Sequence, residues 1–584
     1  MICGCFVATE AAAKPSGPSA PAISETHRAF LSRMARRTVR DVALGRERYK
    51  PQYVPRSIEN VTGEVIVRLW EEGYLRATGV GQSGPVAKAT RDAAYSAALI
   101  ARESLQAQAG RANEVLIEIE VIGPGEMMPV VGDWTRPGAL DAFIEFGVHG
   151  VVLLGPKKRR RICASEMIGA DMPLSDVLTG LAQGSQLDSS QLGKYRLLRF
   201  RTARWYEERS SAAVVSLQRG MTLVPPEAVR PRLVDAAISR IAEYMVYRQL
   251  PTGLFTYEFS PGLDRFSESN SLVRQVGAAI AVSAHAKYTG KSASRAASDL
   301  AVAYHLKGLT PISSAENAAF IATADDQNKL GVTALLCIAL SEHPDARSYV
   351  DVRERLVNAM LWLQRPSGLF VTAFPPAVEI KGQEYFPGEA LFALAREYAR
   401  DPSAKILDAF DRSISFYRDY FRAGRTPAFV PWQIQAFALM AHQTKRRDFV
   451  DYVFELTDWL AAKQLTPSNC DWPEMYGGVA AHRTGRAGAS TASYLEGFTD
   501  ALGVARAFGD SERVRRYETV VRLATRFVMQ LEVRREEARF MRSPQDAVGG
   551  IRTSPALSRL RIDHCQHALI ALIKARKILF GDKE

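Results

Sequence analysis

Arg248–Phe259 reads RQLPTGLFTYEF and Leu363–Phe374 reads LQRPSGLFVTAF. Each writes Pro, a hydroxyl residue, Gly, Leu and Phe in the same order, and each lies between two stretches of helical periodicity. A motif repeated in that setting marks a recurring connection: Gly permits a left-handed or crowded backbone, and Phe plugs the rim. From Leu233 onward almost no alternating strand pattern appears. The spacing predicts twelve helices instead, at 232–249, 271–289, 293–307, 325–342, 348–365, 387–400, 403–421, 431–444, 446–465, 490–508, 511–531 and 563–578. One helix pair recurs about every 55 to 70 residues, with one short and one long connection, as in a repeat of helical hairpins. Gly477-Gly478 and Gly549-Gly550 stand at places comparable to the two quoted loops.

The helices alternate in character. QVGAAIAVSAHA, KLGVTALLCIAL, GEALFALAREYA and IQAFALMAHQ are rich in Ala, Leu and Gly and suit helices packed on two sides. DVRERLVNAMLWLQ and AKILDAFDRSISFYRDYF carry a wet face and suit an outer layer. Six inner and six outer helices predict an all-α (α/α)6 toroid over 232–584.

Upstream the pattern differs. Residues 26–46 read as a helix, 64–78 as a hairpin, GVGQSGP as a loop and VAKATRDAAYSAALIA as an Ala-rich helix. VLIEIEVIG alternates apolar and acidic residues, predicting a strand with one wet face. GVHGVVLLG and RRICASEM form a further strand pair, and KYRLLRFRTARWYE a last strand. This is an α+β domain with a mostly antiparallel sheet over 25–210. Residues 1–24 read as a flexible lead-in, and the proline-interrupted 211–231 as a linker.

GYLRATGVG (73–81), VLIEIEVIGPGEMMP (115–129) and ALDAFIEFGVHGVVLLGPKKRRRICASEM (139–167) resemble the AMMECR1 domain family. Where that family carries an RGCIG-like motif, this chain has Arg76-Ala77-Thr78-Gly79-Val80, keeping Arg76 and Gly79 without the cysteine. The resemblance implies a binding or scaffolding role, with Arg76 and Gly79 lining a surface depression and a protein partner as the expected ligand. NSLVRQVG (270–277), QNKLGVTAL (327–335), YFPGEALFALAREY (385–398), TASYLEGFTDAL (491–502) and RIDHCQHALIAL (561–572) resemble the C-terminal portion of D-glucuronyl C5-epimerases and related six-hairpin glycosidase-like domains. That resemblance implies activity on carbohydrate.

The chain has 584 residues, 75 Lys and Arg against 63 Asp and Glu, and a net charge of +12. This mild excess favours anionic ligands. Its dense cluster, PKKRRRI (156–162), reads as a hairpin turn and lacks the interleaved aromatics of a single-strand nucleic-acid surface. Six scattered cysteines, including the Cys3/Cys5 pair, form no disulfide framework. With no transmembrane run and no signal-peptide pattern, a cytoplasmic location is expected.

In such a toroid the long loops and inner-helix N-termini gather at one mouth. Glu389, Glu496 and Asp563 lie near three inner-helix starts and are the candidate acids and bases. The bland alternatives are a first-turn carboxylate, an interhelix ion pair and an N-cap, respectively. Tyr257 and His564 are a candidate base and proton relay, and Arg274, Lys329 and Arg561 candidate partners for a uronate carboxylate. Trp432 and Tyr385, with Phe255 and Phe374, offer flat faces to sugar rings. Glu384, Gln433, Tyr494 and His567 complete the polar lining. No HExxH spacing occurs, so neither metal nor cofactor is expected. The predicted function is hydrolysis or epimerisation of an anionic, intracellular or membrane-associated saccharide. The alternatives are a two-domain scaffold for protein partners and an enzyme modifying a peptide or lipid-linked molecule.

Overall fold

A computed structural model describes residues 18–106 (without 48 and 52), 113–128, 140, 143–155, 159–170, 174–183, 195–207, 213–324, 327–376, 381–480 and 486–581. Cys3, Cys5, Lys157 and Lys158 lie outside them. The chain divides into two compact units, Met1–Thr222 with Arg539–Arg542, and Leu223–Ala538 with Ser543–Glu584.

The first unit runs α1 (Glu25–Ala43), α2 (Arg56–Glu59), β1 (Thr62–Glu71), β2 (Tyr74–Pro85), α3 (Val86–Ile100), α4 (Arg102–Gln106), β3 (Leu116–Met127), β4 (His149–Leu154), β5 (Arg159–Ile162), α5 (Ala164–Ala170), α6 (Leu174–Gln183), β6 (Arg196–Glu207) and β7 (Val214–Leu217). It is an α+β unit. The strands pair antiparallel in the order β2-β1-β3-β6-β4-β5, with β7 also on β6. Alternate residues Val65, Val67, Leu69, Ile117, Ile119 and Val121 turn to one face and join the core with Leu31, Ala35 and Ala93 from α1 and α3.

Four expectations are corrected here. GVGQSGP is strand rather than loop: the ladder continues through Val67↔Gly79 and Val65↔Gly81. A Cβ on Gly79 would lie 2.0 Å from the Ala93 carbonyl oxygen, so glycine here lets α3 lie directly on β2. The acidic face of β3 is not wet. Glu118 and Glu120 are both 0% exposed. Arg68 reaches them at 3.0 and 2.7 Å, Arg204 reaches Glu118 at 2.7 Å, and Trp70, Thr202 and Ser165 donate to them. Strand alternation shows that two faces differ, and a charged face fully supplied with counter-charges can be buried as well. The strand reading of RRICASEM ends at Ile162; Glu166 accepts the Cys163 N–H at 2.7 Å, and helix α5 follows. Val214–Leu217, inside the expected linker, pair with β6.

The second unit runs α7 (Pro231–Tyr247), β8 (Glu258–Ser260), β9 (Arg265–Phe266), α8 (Leu272–Thr289), α9 (Ser292–Leu306), β10 (Leu309–Pro311), β11 (Ala319–Ile321), α10 (Leu330–Glu342), α11 (Val350–Trp362), α12 (Phe386–Arg400), α13 (Ala404–Ala423), α14 (Val430–Thr444), α15 (Arg447–Ala461), α16 (Ser490–Ala507), α17 (Ser511–Leu531), α18 (Arg535–Ala538), β12 (Arg552–Ser554), β13 (Leu557–Arg561) and α19 (Ile562–Phe580). Helices α8, α10, α12, α14, α16 and α19 each pack on the next, and α19 packs on α8, closing an inner ring. Helices α9, α11, α13 and α15 back the inner helix before each of them, while α17 rests on α16 and α19 and α7 on α19 and α8. The inner helix α10 is buried continuously from Leu330 to Leu340. The outer helix α13 buries Ile406, Ala409, Phe410, Ser413, Ile414, Tyr417 and Phe421, a single stripe at three- and four-residue spacing.

The repeated Gly-Leu-Phe loop is a joint to the next outer helix. Gly253 and Gly368 have φ of 98° and 93°. A Cβ on either would lie 2.4 Å from the Leu300 carbonyl oxygen of α9 or 2.2 Å from that of Arg412 on α13. Gln249 and Gln364, where α7 and α11 end, donate to the carbonyls of Ala297 and Ala409 on the same helices. Gly477 on Leu523 and Gly549 on Arg240 repeat the contact. Both side chain and left-handed backbone therefore demand glycine.

Candidate active site

The inner helices start on one side of the ring because outer helices alternate with them and carry the chain back; five of the six are entered from a long connection, and α14 from the six residues 424–429. At the fourth residue of three of them a side chain holds the incoming loop. Phe255 N–H donates to Gln275 Oε1 at 2.8 Å, Ile321 N–H to Thr333 Oγ1 at 3.1 Å, and Ile551 N–H to Cys565 Sγ at 3.4 Å. The fourth residues of α12 and α14 are Glu389 and Gln433, and they do not have this duty. The loop N–H that Glu389 would meet, at Phe370, donates to the Tyr417 hydroxyl of the outer layer at 2.9 Å. Glu389 Oε2 and both amide atoms of Gln433 are buried with no hydrogen-bond partner. Buried polar atoms are ordinarily satisfied, so these mark a place where a ligand's polar groups would fit.

Glu389 sits in the first turn of α12, after Pro387. A Cβ on Gly331 would lie 2.3 Å from Glu389 Oε2, so the start of α10 is cut away to admit the carboxyl. Burial pushes this carboxyl up to about 8, against a lowering pull from His567. Next to it, His567 Nδ1 bonds Glu496 Oε1 at 2.7 Å. Burial works against the His567 charge, yet Glu496, with Asp563 and Glu389, raises it above its ordinary value. All three carboxylates named from the sequence thus act on one imidazole.

One turn away, His564 is buried, its Nδ1 has no partner, and desolvation takes it down to about 4. Asp563 carries two guanidinium groups: Arg561 at 2.6 and 2.9 Å and Arg274 at 3.1 Å. Burial alone would raise Asp563; His564 and these two arginines hold it well below the usual carboxylate range. Arg274 also donates to the Tyr257 hydroxyl and lies over that ring at 5.7 Å. Pairing of β13 with β8, Arg561↔Glu258, brings the loop after α7 beside the loop before α19.

Trp432 stands edge-on to His567 at 6.0 Å between ring centroids. Tyr385 is 48% exposed and lies within electrostatic reach of Arg274 and Glu389. Burial pushes Tyr494 up to about 12, and it senses Tyr385. The structure therefore gathers Tyr257, Arg274, Tyr385, Glu389, Trp432, Tyr494, Glu496, Arg561, Asp563, His564 and His567. It does not gather Glu384, which accepts from Tyr420 of the outer layer at 3.2 Å. Lys329 stands at the N-terminus of α10, where its backbone pairs with Ala373. Phe255 and Phe374 are core, 2% and 0% exposed, and Phe374 stacks on Phe320. In the first unit Arg76 is exposed on Glu71 while Gly79 lies under α3, so the two do not share a depression. Gly331 is the site residue that the sequence reading missed; a glycine at the second position of an inner helix was its signal.

Among the described residues no group of three His, Cys, Asp or Glu is arranged to hold a metal ion, and no helix is long and apolar enough to cross a membrane. No protein-family model matches the chain, and no curated protein matches it. Among solved structures, an uncharacterised protein from Pyrococcus horikoshii is similar over 34% of this chain and 98% of its own, at 17% identity and a TM-score of 0.30. A sugar epimerase from a ruminal bacterium is similar over 59% of this chain and 98% of its own, at 11% identity and a TM-score of 0.42. A cellobiose 2-epimerase from Spirochaeta thermophila is similar over 60% and 97%, at 15% identity and a TM-score of 0.43.

Proposed function

We propose that the mouth of the toroid binds an anionic saccharide and moves a proton on a carbon beside its carbonyl or carboxyl carbon, as an epimerase or isomerase does. The observation that carries this reading is the contrast between His564 and His567, three residues apart on α19: His567 Nδ1 bonds Glu496 at 2.7 Å, whereas His564 Nδ1 is buried without a partner. One is pushed down to about 4 and the other up, beside a carboxyl at about 8. Titratable neighbours driven apart are how one site supplies an acid and a base together. At neutral pH His564 is a neutral imidazole able to accept a proton. Glu389 keeps its proton, and Glu496 holds His567 above its ordinary value, so either can return one. One proton leaves carbon and one is delivered, and the net balance is zero. Arg274 and Arg561 converge on Asp563, with Glu258 also acting on Arg561, and the paired guanidinium groups suit the anionic group of the sugar or an enediolate. Trp432 and Tyr385 supply surfaces for the ring.

Hydrolysis fits less well. It calls for two carboxyl groups, one as acid and one as base or nucleophile. Here Glu496 is committed to His567 and Asp563 to two arginines, which leaves Glu389 alone. The test is incubation with uronates and neutral disaccharides in D2O, followed by proton NMR. Deuterium should enter one sugar carbon with wild type and fall by about 10² or more in His564→Asn and Glu389→Gln. New reducing ends without exchange would replace this reading with hydrolysis. No binding and no exchange across the panel would leave a non-catalytic scaffold.

A further inference from the structure

A short piece of the first compact unit comes from far along the chain. Arg539–Arg542 belongs to that unit, whereas Ala538 before it and Ser543 after it belong to the second. The piece reads Arg-Phe-Met-Arg and is turn and bend rather than helix or strand. Phe540 stands edge-on to two rings, Trp70 of β1 at 5.5 Å and 87° and Tyr206 of β6 at 5.4 Å and 81°. The Arg204 guanidinium lies over the Phe540 ring at 5.6 Å. Leu116, Val215 and Leu217 complete this cluster, which is separate from the main core of the unit. Two residues on, Arg542 lies over the Tyr74 ring at 5.5 Å. Between the two contacts Met541 meets the β1–β2 turn, where a Cβ on Gly73 would lie 2.0 Å from the Met541 carbonyl oxygen.

Part of this has a plain structural account. Glu72 and Gly73 have φ of 49° and 76°, as a tight hairpin turn requires whatever lies against it. A phenylalanine in an apolar cluster is ordinary packing. Neither accounts for a sheet that takes four residues from another part of the chain to cover Trp70 and Tyr206. The walls are also set by the sheet itself. Trp70 Nε1 and Arg204 Nε both donate to buried Glu118 at 2.7 Å, which orients the indole and the guanidinium without help from Phe540. A fixed box of two rings and a cation, with a third ring placed for the residue two further on, has the properties of a receptor for a short segment.

We propose that the first unit is a peptide-docking module. Its docking site is the surface made by Trp70, Arg204, Tyr206 and the Gly73-Tyr74 turn. Its ligand is a short turn-forming segment that presents an aromatic residue and, two residues on, a cation. Arg539–Arg542 is the resident ligand, and a partner protein presenting the same pattern competes with it. The sequence placed the binding surface of this unit at Arg76 and Gly79; the docking site lies at the turn just before them. It does not depend on what the mouth of the toroid does.

The probe is a fluorescently labelled peptide with the sequence of Ala538–Ser543, titrated into the full chain carrying Phe540→Ala and followed by anisotropy. One saturable site per chain is expected. Wild type should bind the peptide about tenfold more weakly or worse, because its own segment competes at a high effective concentration. Alanine in place of the peptide's phenylalanine, or Trp70→Ala added to the chain, should each weaken binding about tenfold or more. Alanine in place of the peptide's second arginine should weaken it about threefold. Thermal unfolding confirms that each variant is folded. Where Phe540→Ala fails to fold, wild type decides: excess peptide should speed hydrogen exchange at residues 539–542, and the peptide without phenylalanine should not. No saturable site in folded Phe540→Ala, equal affinity in wild type or for the peptide without phenylalanine, or unchanged exchange in wild type would overturn the proposal.

Discussion

Two regions bury carboxylates and treat them in opposite ways. In the α+β unit, Glu118 and Glu120 lie under a sheet face with 0% exposure, and Arg68, Arg204, Trp70, Thr202 and Ser165 supply donors to them. Burial would raise Glu118, and Arg204 and Arg68 bring it down below its ordinary value. In the toroid, Glu389 is buried nearly as deeply, its Oε2 has no partner, and it is pushed up to about 8. Burial alone therefore says nothing about chemistry. A buried charge whose partners are all present is structure, and one whose partner is missing waits for a ligand or keeps its proton.

The comparison breaks most visibly at Glu389. Glu389→Gln imitates the protonated carboxyl in shape and cannot transfer its proton. Exchange should fall by roughly 10² to 10⁴, with circular dichroism unchanged and no loss of melting temperature at pH 7. A variant that keeps full turnover would remove Glu389 from the chemistry.

The paired cluster should fail in the other currency. Arg68→Met takes the guanidinium away from Glu120 and leaves Glu118 to Arg204, and loss of one partner from a buried ion network costs about 3–5 kcal/mol. Urea denaturation of the full chain should show that loss in the transition of the α+β unit. A loss under about 1 kcal/mol would mean that the cluster is solvated rather than buried.

Tyr417 sharpens the contrast. It occupies the role that Gln275 and Thr333 play elsewhere, and so frees Glu389 from it. Tyr417→Phe removes the acceptor of a buried N–H and should cost about 1–3 kcal/mol, like Thr333→Val. If Tyr417→Phe costs nothing, the Phe370 N–H has another acceptor and the substitution argument fails.

A last effect is in the pH dependence. Glu389 binds its proton more tightly folded than unfolded. Its contribution to stability is therefore full below about 4.5, declines as pH rises toward about 8, and is level beyond. Melting curves of Glu389→Gln should lose that decline and run above wild type at pH 9. Parallel curves from pH 4 to 9 would show that Glu389 titrates normally.

Helix order was legible because its signal is local. Predicted 490–508 and 511–531 meet observed Ser490–Ala507 and Ser511–Leu531, as periodicity and caps allow. The mouth was legible too: an inner-helix start repeats, so Glu389, Glu496 and Asp563 fall on one side of the ring. What stayed hidden was pairing. Nothing near Glu496 in sequence points to His567, 71 residues on. Nothing near Glu118 announces Arg68 and Arg204, so its face read as wet. Strand alternation separates two faces without naming what covers them. Gly79 was read as a surface residue because a family motif carries no information on the helix above it.

The glycine joints have a mechanical consequence. Gly549 meets Arg240 of α7 just as Gly253 meets α9, Gly368 meets α13 and Gly477 meets α17. The meeting of last and first repeats is thus made with the same fitting as the interior junctions. An open stack of hairpins frays from its two terminal units, whereas this one has no terminal unit to start from. Moving the chain break to the short turn at Lys445, by circular permutation, should leave a ring that unfolds as cooperatively as before, because no junction is specialised for closure.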